Sequence, residues 1–146
     1  MSKTEQIMQA SNDAYLAIYK RFPVAFDHGE GVYLYDVEGK KYLDFGAGIA
    51  VMGLGYGNRR YNDALKAQID KLIHTSNLFY HEPGSKAAQQ LKEASGLQHV
   101  FFTNSGTEAV EGALKLAKKH ANLAKKENYN IIAMNHSFHG RSLGAL

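Results

Sequence analysis

The chain has 146 residues, about one domain's worth, of which 45% are hydrophobic, 21% charged and none cysteine. That composition excludes a disulfide framework and thiolate metal sites, and no stretch approaches the roughly 20 apolar residues of a membrane span. The net charge of +3 is mild and gathers on Lys115, Lys118, Lys119, Lys125 and Lys126 near one expected helix end, which excludes a basic stripe for nucleic acid.

In chain order, residues 4–20 read as a modest helix ended by Phe22 and Pro23. The polar N-terminus lacks the apolar core of a signal peptide, and with the absent cysteines this points to a cytoplasmic protein. Residues 31–36 and 41–45 alternate and are rich in aromatics, and Val37-Glu38-Gly39-Lys40 between them is a turn signal, so a β-hairpin is expected. Tyr33, Tyr35, Tyr42 and Phe45 alternate along it as packing residues. Residues 46–57 form a glycine-rich loop, 59–73 and 84–95 two helices, and 75–83 the loop between them. His28, His74 and His81 are expected on loops or the surface.

The grammar then changes. Residues 99–103 and 130–135 are compact and continuously apolar, as strands of a parallel sheet covered on both faces are. Between them, a helix over 107–126 carries Val110, Ala113, Leu114, Ala117, Ala121 and Ala124 on one face. Strand, helix and strand make a right-handed βαβ unit, and residues 142–146 read as the opening of a further helix. A chain of this length should bury roughly 70% of its unfolded surface, yet one βαβ unit cannot close a sheet, so the domain reads as incomplete.

Ligands of βαβ units bind beyond the carboxyl ends of the strands. Asn104-Ser105-Gly106-Thr107 and His136-Ser137-Phe138-His139-Gly140-Arg141 occupy that edge. The first offers hydroxyls, a glycine for close approach and the free N–H groups of a helix start, which suits an anion. Ser105 and Glu108 also match a capping box, and Glu108 and Glu111 suit the helix dipole, so a capped turn would explain the same residues without a ligand. The second loop sets a flat ring, Phe138, near a guanidinium, Arg141, with Gly140 between; phosphate, aromatic ring and carboxylate would together use both loops. His136 and His139 have no third partner in sight, so no metal site is expected. The dinucleotide fingerprint fails at Val51, and there is no P-loop.

The phrases TNSGTEAVEGALKLAKK and NHSFHGRSLGAL, with GVYLYDVEGKKYLDFGAGIAVMGLGYGN and HTSNLFYHEPGSKAAQQL upstream, resemble the class III pyridoxal-phosphate aminotransferases from about Phe22 to Leu146. Within the family they look most like the acetylornithine-type branch, with the ornithine type close behind. The resemblance implies an α/β architecture, the type I fold of pyridoxal-phosphate transferases. Residues 1–58 would be an N-terminal segment of the small domain. Residues 59–146 would begin the large cofactor-binding domain with the first part of its mostly parallel sheet. It further implies pyridoxal 5'-phosphate held by Ser105, Gly106, Thr107 and the ring of Phe138, and a substrate carboxylate bound by Arg141. Phe22, Pro23 and residues 48–51 would line the substrate entrance. Partners would be amino-acid and 2-oxo-acid substrates and a second copy in a homodimer, with no nucleic acid and no membrane. The reaction would move the amine of N-acetylornithine to 2-oxoglutarate; ornithine or 4-aminobutyrate as donor, or a non-catalytic phosphate-ligand module, are the alternatives. No lysine here has the context of the family's Schiff-base lysine, so no catalytic residue is expected in these 146 positions, which alone would be inactive. The sequence departs from the family's usual pattern at Tyr56 (His there), Asn58-Arg59 (often His-Pro) and Val110 (more usually polar).

Overall fold

The computed structural model describes residues 1–126 and 129–145. The backbone divides into two compact units, Met1–Thr75 and Ser76–Leu146.

In the first unit, α1 (Lys3–Ala14) starts at a full capping box, in which Ser2 and Glu5 each accept from the other's backbone N–H. The helix ends at Ala14 with Tyr15 extended, well short of the expected residue 20. Residues beyond Ala14 gain no buried face to offset the entropy of ordering them, since Leu16 and Ile18 are exposed. Three antiparallel strands follow: β1 (Phe26–Glu30), β2 (Tyr33–Asp36) and β3 (Lys41–Leu43), with β2 central. The expected hairpin is β2–β3, with Tyr33 opposite Leu43 and Tyr35 opposite Lys41; β1 had no sequence signal and joins through a bulge between Phe26 and His28.

Asp36 makes the hairpin turn. Its buried carboxylate accepts from the N–H groups of Glu38 and Lys40 and from the Tyr42 hydroxyl at 2.8 Å. Burial alone would raise the Asp36 pKa, but those three donors and the Lys40 charge outweigh it and hold the carboxyl below its usual range. Tyr42 packs edge-on to Phe26, and Lys41 lies 3.8 Å over the Tyr33 ring. Phe45 is the exception among the expected packing aromatics, being 91% exposed.

Next comes α2 (Ala47–Ala50), a single left-handed turn in which Ala47, Gly48, Ile49 and Ala50 all have positive φ, from 44° to 66°. Each non-glycine residue there costs about 1–2 kcal/mol relative to the right-handed form. The turn is pinned by Asp44, which accepts from the N–H groups of Gly46 and Ala47 and, at 2.6 Å, from the Tyr56 hydroxyl. Tyr56 in turn pairs its backbone with Gly31 and lays its ring where a side chain at Gly29 would stand. The unit closes with α3 (Arg59–Lys71), capped by Asn58.

In the second unit, α4 (Glu82–Ser95) is capped by the His81 ring and ends at Gly96 in the left-handed conformation. Then α5 (Gly106–Leu123) begins at Ser105. Residues 99–103 and 130–135, expected as parallel strands, form no strand and pair with none among the described residues. A parallel strand draws its hydrogen bonds from neighbouring strands, and continuous apolar runs need both faces covered. Neither condition holds here: Phe101, Ile132 and Met134 are exposed. Part of the βαβ packing is present, because Gly112 of α5 lies so close to the Phe101 ring that an added Cβ would sit 3.1 Å from it. Residues 142–145 form a turn, Ala145 N–H to Ser142 carbonyl, where a helix opening was expected; Leu146 lies outside the described residues.

The expected burial is not reached. The accessible surface is 13281 Å², against roughly 23,500 Å² for an unfolded chain of 16.2 kDa. Barely over 40% of the surface is therefore removed from water, and among the described hydrophobic residues Ala121 alone is buried.

Candidate functional site

Two loops of the second unit build the site. The turn at 103–108 is fixed entirely by local bonds. Ser105 Oγ accepts from the Glu108 N–H at 3.2 Å, Glu108 reaches back to the Asn104 N–H at 2.7 Å, and the Thr103 hydroxyl donates to the Ser105 carbonyl. Ser-x-x-Glu therefore acts as the expected cap, with the glutamate contacting the residue before the cap rather than the cap itself. This arrangement occupies only some of the donors at the helix start. Glu108 N–H is bonded to Ser105 Oγ, and the N–H groups of Gly106 and Thr107 have no intrahelical acceptor available to them. Because Ser105 Oγ accepts, its own proton remains able to donate outward.

Gly106 keeps this surface clear: a Cβ there would meet no atom within 4 Å. Unobstructed N–H groups, an outward hydroxyl and the positive end of an 18-residue helix fit a phosphate group. The donor set thus suits the phosphate of a cofactor, and the capped-turn explanation accounts for Glu108 without using these donors.

The second loop comes up against the first. Gly140 is buried, with φ at +122°, and a Cβ added to it would lie 2.5 Å from Thr107 Oγ1 and 3.0 Å from Thr107 Cβ and Cγ2. Only glycine permits that approach. The same loop carries Phe138, 75% exposed, and Arg141, whose guanidinium carbon lies 5.6 Å over the Phe138 ring. A cation and a flat apolar face are thereby presented together beside Thr107, through an attraction of the cation–π type. All five expected binding residues, Ser105, Gly106, Thr107, Phe138 and Arg141, thus belong to one region of one unit.

Glu111 departs from expectation. It sits in the second turn of α5, where the dipole has little hold, and Glu108 is the acidic residue of the first turn. Its carboxylate instead accepts from the Ser142 hydroxyl and, at 2.8 Å, from the Gly144 N–H, 31 and 33 residues away in sequence. The Ser142 bond, then that of Gly144, holds the Glu111 pKa below its usual range; burial opposes this, and Lys115 and Lys118 add to it. No sequence signal marks this partnership, since it is neither local nor periodic. The other expected entrance residues, Phe22, Pro23 and 48–51, belong to the first unit, where Phe22, Ile49 and Val51 are exposed. No group of three or more potential metal-ligating side chains occurs among the described residues.

The sequence pattern of the family described as aminotransferase class-III matches residues 15–146. The acetylornithine aminotransferase of Haemophilus ducreyi is 43% identical over 144 residues, covering 98% of this chain and 37% of that protein. That of Methanocaldococcus jannaschii is 47% identical over 133 residues, covering 90% of this chain and 33% of that protein. Among solved structures, the ornithine aminotransferase of Toxoplasma gondii superposes with a TM-score of 0.92 at 28% identity, over 99% of this chain and 35% of that one. The chain therefore spans about a third of the length of these relatives, 33–37%. The likeness extends to the α/β fold of the pyridoxal-phosphate aminotransferases, of which the described residues form a part.

Proposed function

Since this chain belongs to the class-III aminotransferase family, whose members depend on pyridoxal phosphate, we propose that the complete protein transfers the amine of N-acetylornithine to 2-oxoglutarate in arginine biosynthesis. The observation that carries this reading is the approach of Gly140 to Thr107, which sets the Phe138–Arg141 loop beside an open helix start. In it, Ser105, Gly106 and Thr107 hold the cofactor phosphate through N–H and hydroxyl donors. Phe138 covers one face of the pyridine ring, and Arg141 takes the substrate's α-carboxylate in a two-pronged ion pair, so that the distal amine faces the cofactor. When bound, pyridoxal phosphate supplies the carbonyl that accepts an amine and the electron sink for the proton shift. The lysine that anchors it and the acid at its ring nitrogen lie outside these 146 residues, so the residues here bind and orient rather than catalyse.

Residues 1–58 belong to the small domain in this reading and 59–146 open the large one, in a cytoplasmic homodimer. The exposed apolar residues of 99–103 and 130–135 support it, being faces that further strands of the complete protein would cover. No helix among the described residues is long and apolar enough to cross a membrane. Ornithine is the second reading for the donor, favoured by the overlap with the T. gondii ornithine aminotransferase.

The test is a donor panel. The complete protein should show a visible cofactor absorbance bleached by borohydride and use N-acetylornithine in preference to ornithine and 4-aminobutyrate. Arg141→Ala should weaken donor binding by about 1.5–3 kcal/mol, the worth of a lost charged hydrogen-bond pair. An unchanged kcat/KM for every donor would overturn the role of Arg141. Absence of cofactor binding would overturn the enzyme assignment.

A further inference from the structure

We propose that Glu111 is a positioning residue, clamping the loop that carries Phe138 and Arg141 onto α5 in register with the phosphate-binding helix start. The inference rests on the functional reading above and adds to it a residue that touches neither cofactor nor substrate.

Thr107 and Glu111 lie four residues apart on α5 and so share one face of the helix. The loop meets that face at both. Gly140 abuts Thr107 without a side chain between them. Two residues past Gly140, Ser142 donates its hydroxyl to Glu111 Oε1, and Gly144 donates its N–H to the same oxygen at 2.8 Å. A side chain at Gly144 would stand where the carboxylate lies, its Cβ falling 2.6–2.9 Å from Oε1, Oε2 and Cδ, and would push the Glu111 carboxylate aside. Arg141 is held between these two attachment points, one steric and one hydrogen-bonded. With only the steric contact the loop could pivot about Gly140; the second attachment removes that freedom. The Phe138 ring and the guanidinium thus keep a fixed offset from the N–H groups of Gly106 and Thr107. A ligand that spans phosphate, ring and carboxylate needs that offset, whereas a bare anion at the helix start does not.

The difference between those two ligands supplies the experiment. In the complete protein freed of cofactor, the dissociation constants of pyridoxal phosphate and of inorganic phosphate are measured for the unsubstituted form and for Glu111→Ala. Pyridoxal phosphate should bind about tenfold more weakly to the variant, as expected for losing hydrogen bonds to a charged group. Inorganic phosphate should bind equally to both. Equal weakening of the two ligands would mean that Glu111 merely supports the helix, and no weakening of either would mean that the clamp is idle; either result overturns the proposal. Should Glu111→Ala fail to fold, the pair Ser142→Ala and Ser142→Thr decides. The alanine variant should reproduce the selective loss and the threonine variant, which keeps the hydroxyl, should restore binding; equal behaviour of the two overturns it. If the unsubstituted protein binds inorganic phosphate but not pyridoxal phosphate, the assigned function itself fails and the clamp with it.

Discussion

Gly140→Ala tests the meeting of the two loops most directly. Alanine at this position faces two obstacles. Its φ of +122° is one that L-residues rarely adopt, at a cost of order 1–3 kcal/mol. The new Cβ would also stand 2.5 Å from Thr107 Oγ1 and 3.0 Å from Thr107 Cβ and Cγ2, an overpacking that typically costs about 1–3 kcal/mol. The smallest combined cost, about 2 kcal/mol, corresponds to a roughly 30-fold change in an equilibrium constant. The loop is the more movable partner, because Thr107 belongs to α5. The cost should therefore emerge as displacement of Phe138 and Arg141 and a roughly 30-fold or greater loss of pyridoxal-phosphate affinity in the complete protein. Fluorescence titration of the cofactor-free protein measures it, with Gly53→Ala as the control. At Gly53 no atom lies within 4 Å of an added Cβ and φ is unexceptional, so affinity should be unchanged. Repeating Gly140→Ala in a Thr107→Ala background separates the two obstacles. Removing Oγ1 and Cγ2 should relieve the tightest part of the contact, leaving the 3.0 Å approach to Cβ and the backbone portion. An undiminished affinity in Gly140→Ala, or an identical penalty in both backgrounds, would refute the steric argument.

Gly106→Ala should have opposite effects on fold and ligand. It removes a glycine from α5 without a clash, so a thermal melt should show stability unchanged or raised by up to about 0.5–1 kcal/mol, while phosphate affinity falls because the backbone is screened. Equal affinities would mean that close approach at Gly106 is not used. Tyr56→Phe deletes the hydroxyl that donates to Asp44 and should speed amide hydrogen exchange across 46–51, leaving exchange in α5 untouched. The same pair predicts a pH window. Hydrogen bonding to Tyr56 and to the Ala47 and Gly46 N–H groups lowers the Asp44 pKa against burial, so its stabilisation is present above the unfolded value of about 3.9 and is lost as pH falls through the folded one. The bond to Asp44 raises the Tyr56 pKa, so its contribution is present below the unfolded value of about 10 and is lost as pH rises through the folded one. Protease nicking of 46–51 should accordingly be slowest between those limits; a rate independent of pH outside them, after correction for the protease, would count against the Asp44–Tyr56 bond.

What could be read from the residues was what depends on near neighbours. Ser105 marks a helix start because caps act within a few residues, and Val37-Glu38-Gly39-Lys40 marks a turn because Asp36 bonds Glu38 and Lys40 directly. The paired phrases around Ser105 and Phe138 likewise identified both loops and the family, which the matched residues 15–146 bear out. Other features depended on groups distant in sequence. Residues 99–103 and 130–135 have the composition of buried parallel strands, but a strand exists only beside its partner, and among the described residues none stands there. The left-handed turn at Ala47–Ala50 could not be read from two alanines and an isoleucine that locally disfavour it; the network of Asp44, Tyr56 and Gly31 accompanies it only in three dimensions. Glu111 looked like a helix-dipole residue because sequence shows its position in the helix and not the Ser142 hydroxyl that folds back to it. Local hydrogen bonds and periodicity are written in adjacent residues; strand partners, strained turns and clamps are chosen only when distant segments meet, and here that meeting sets Arg141 beside the helix start.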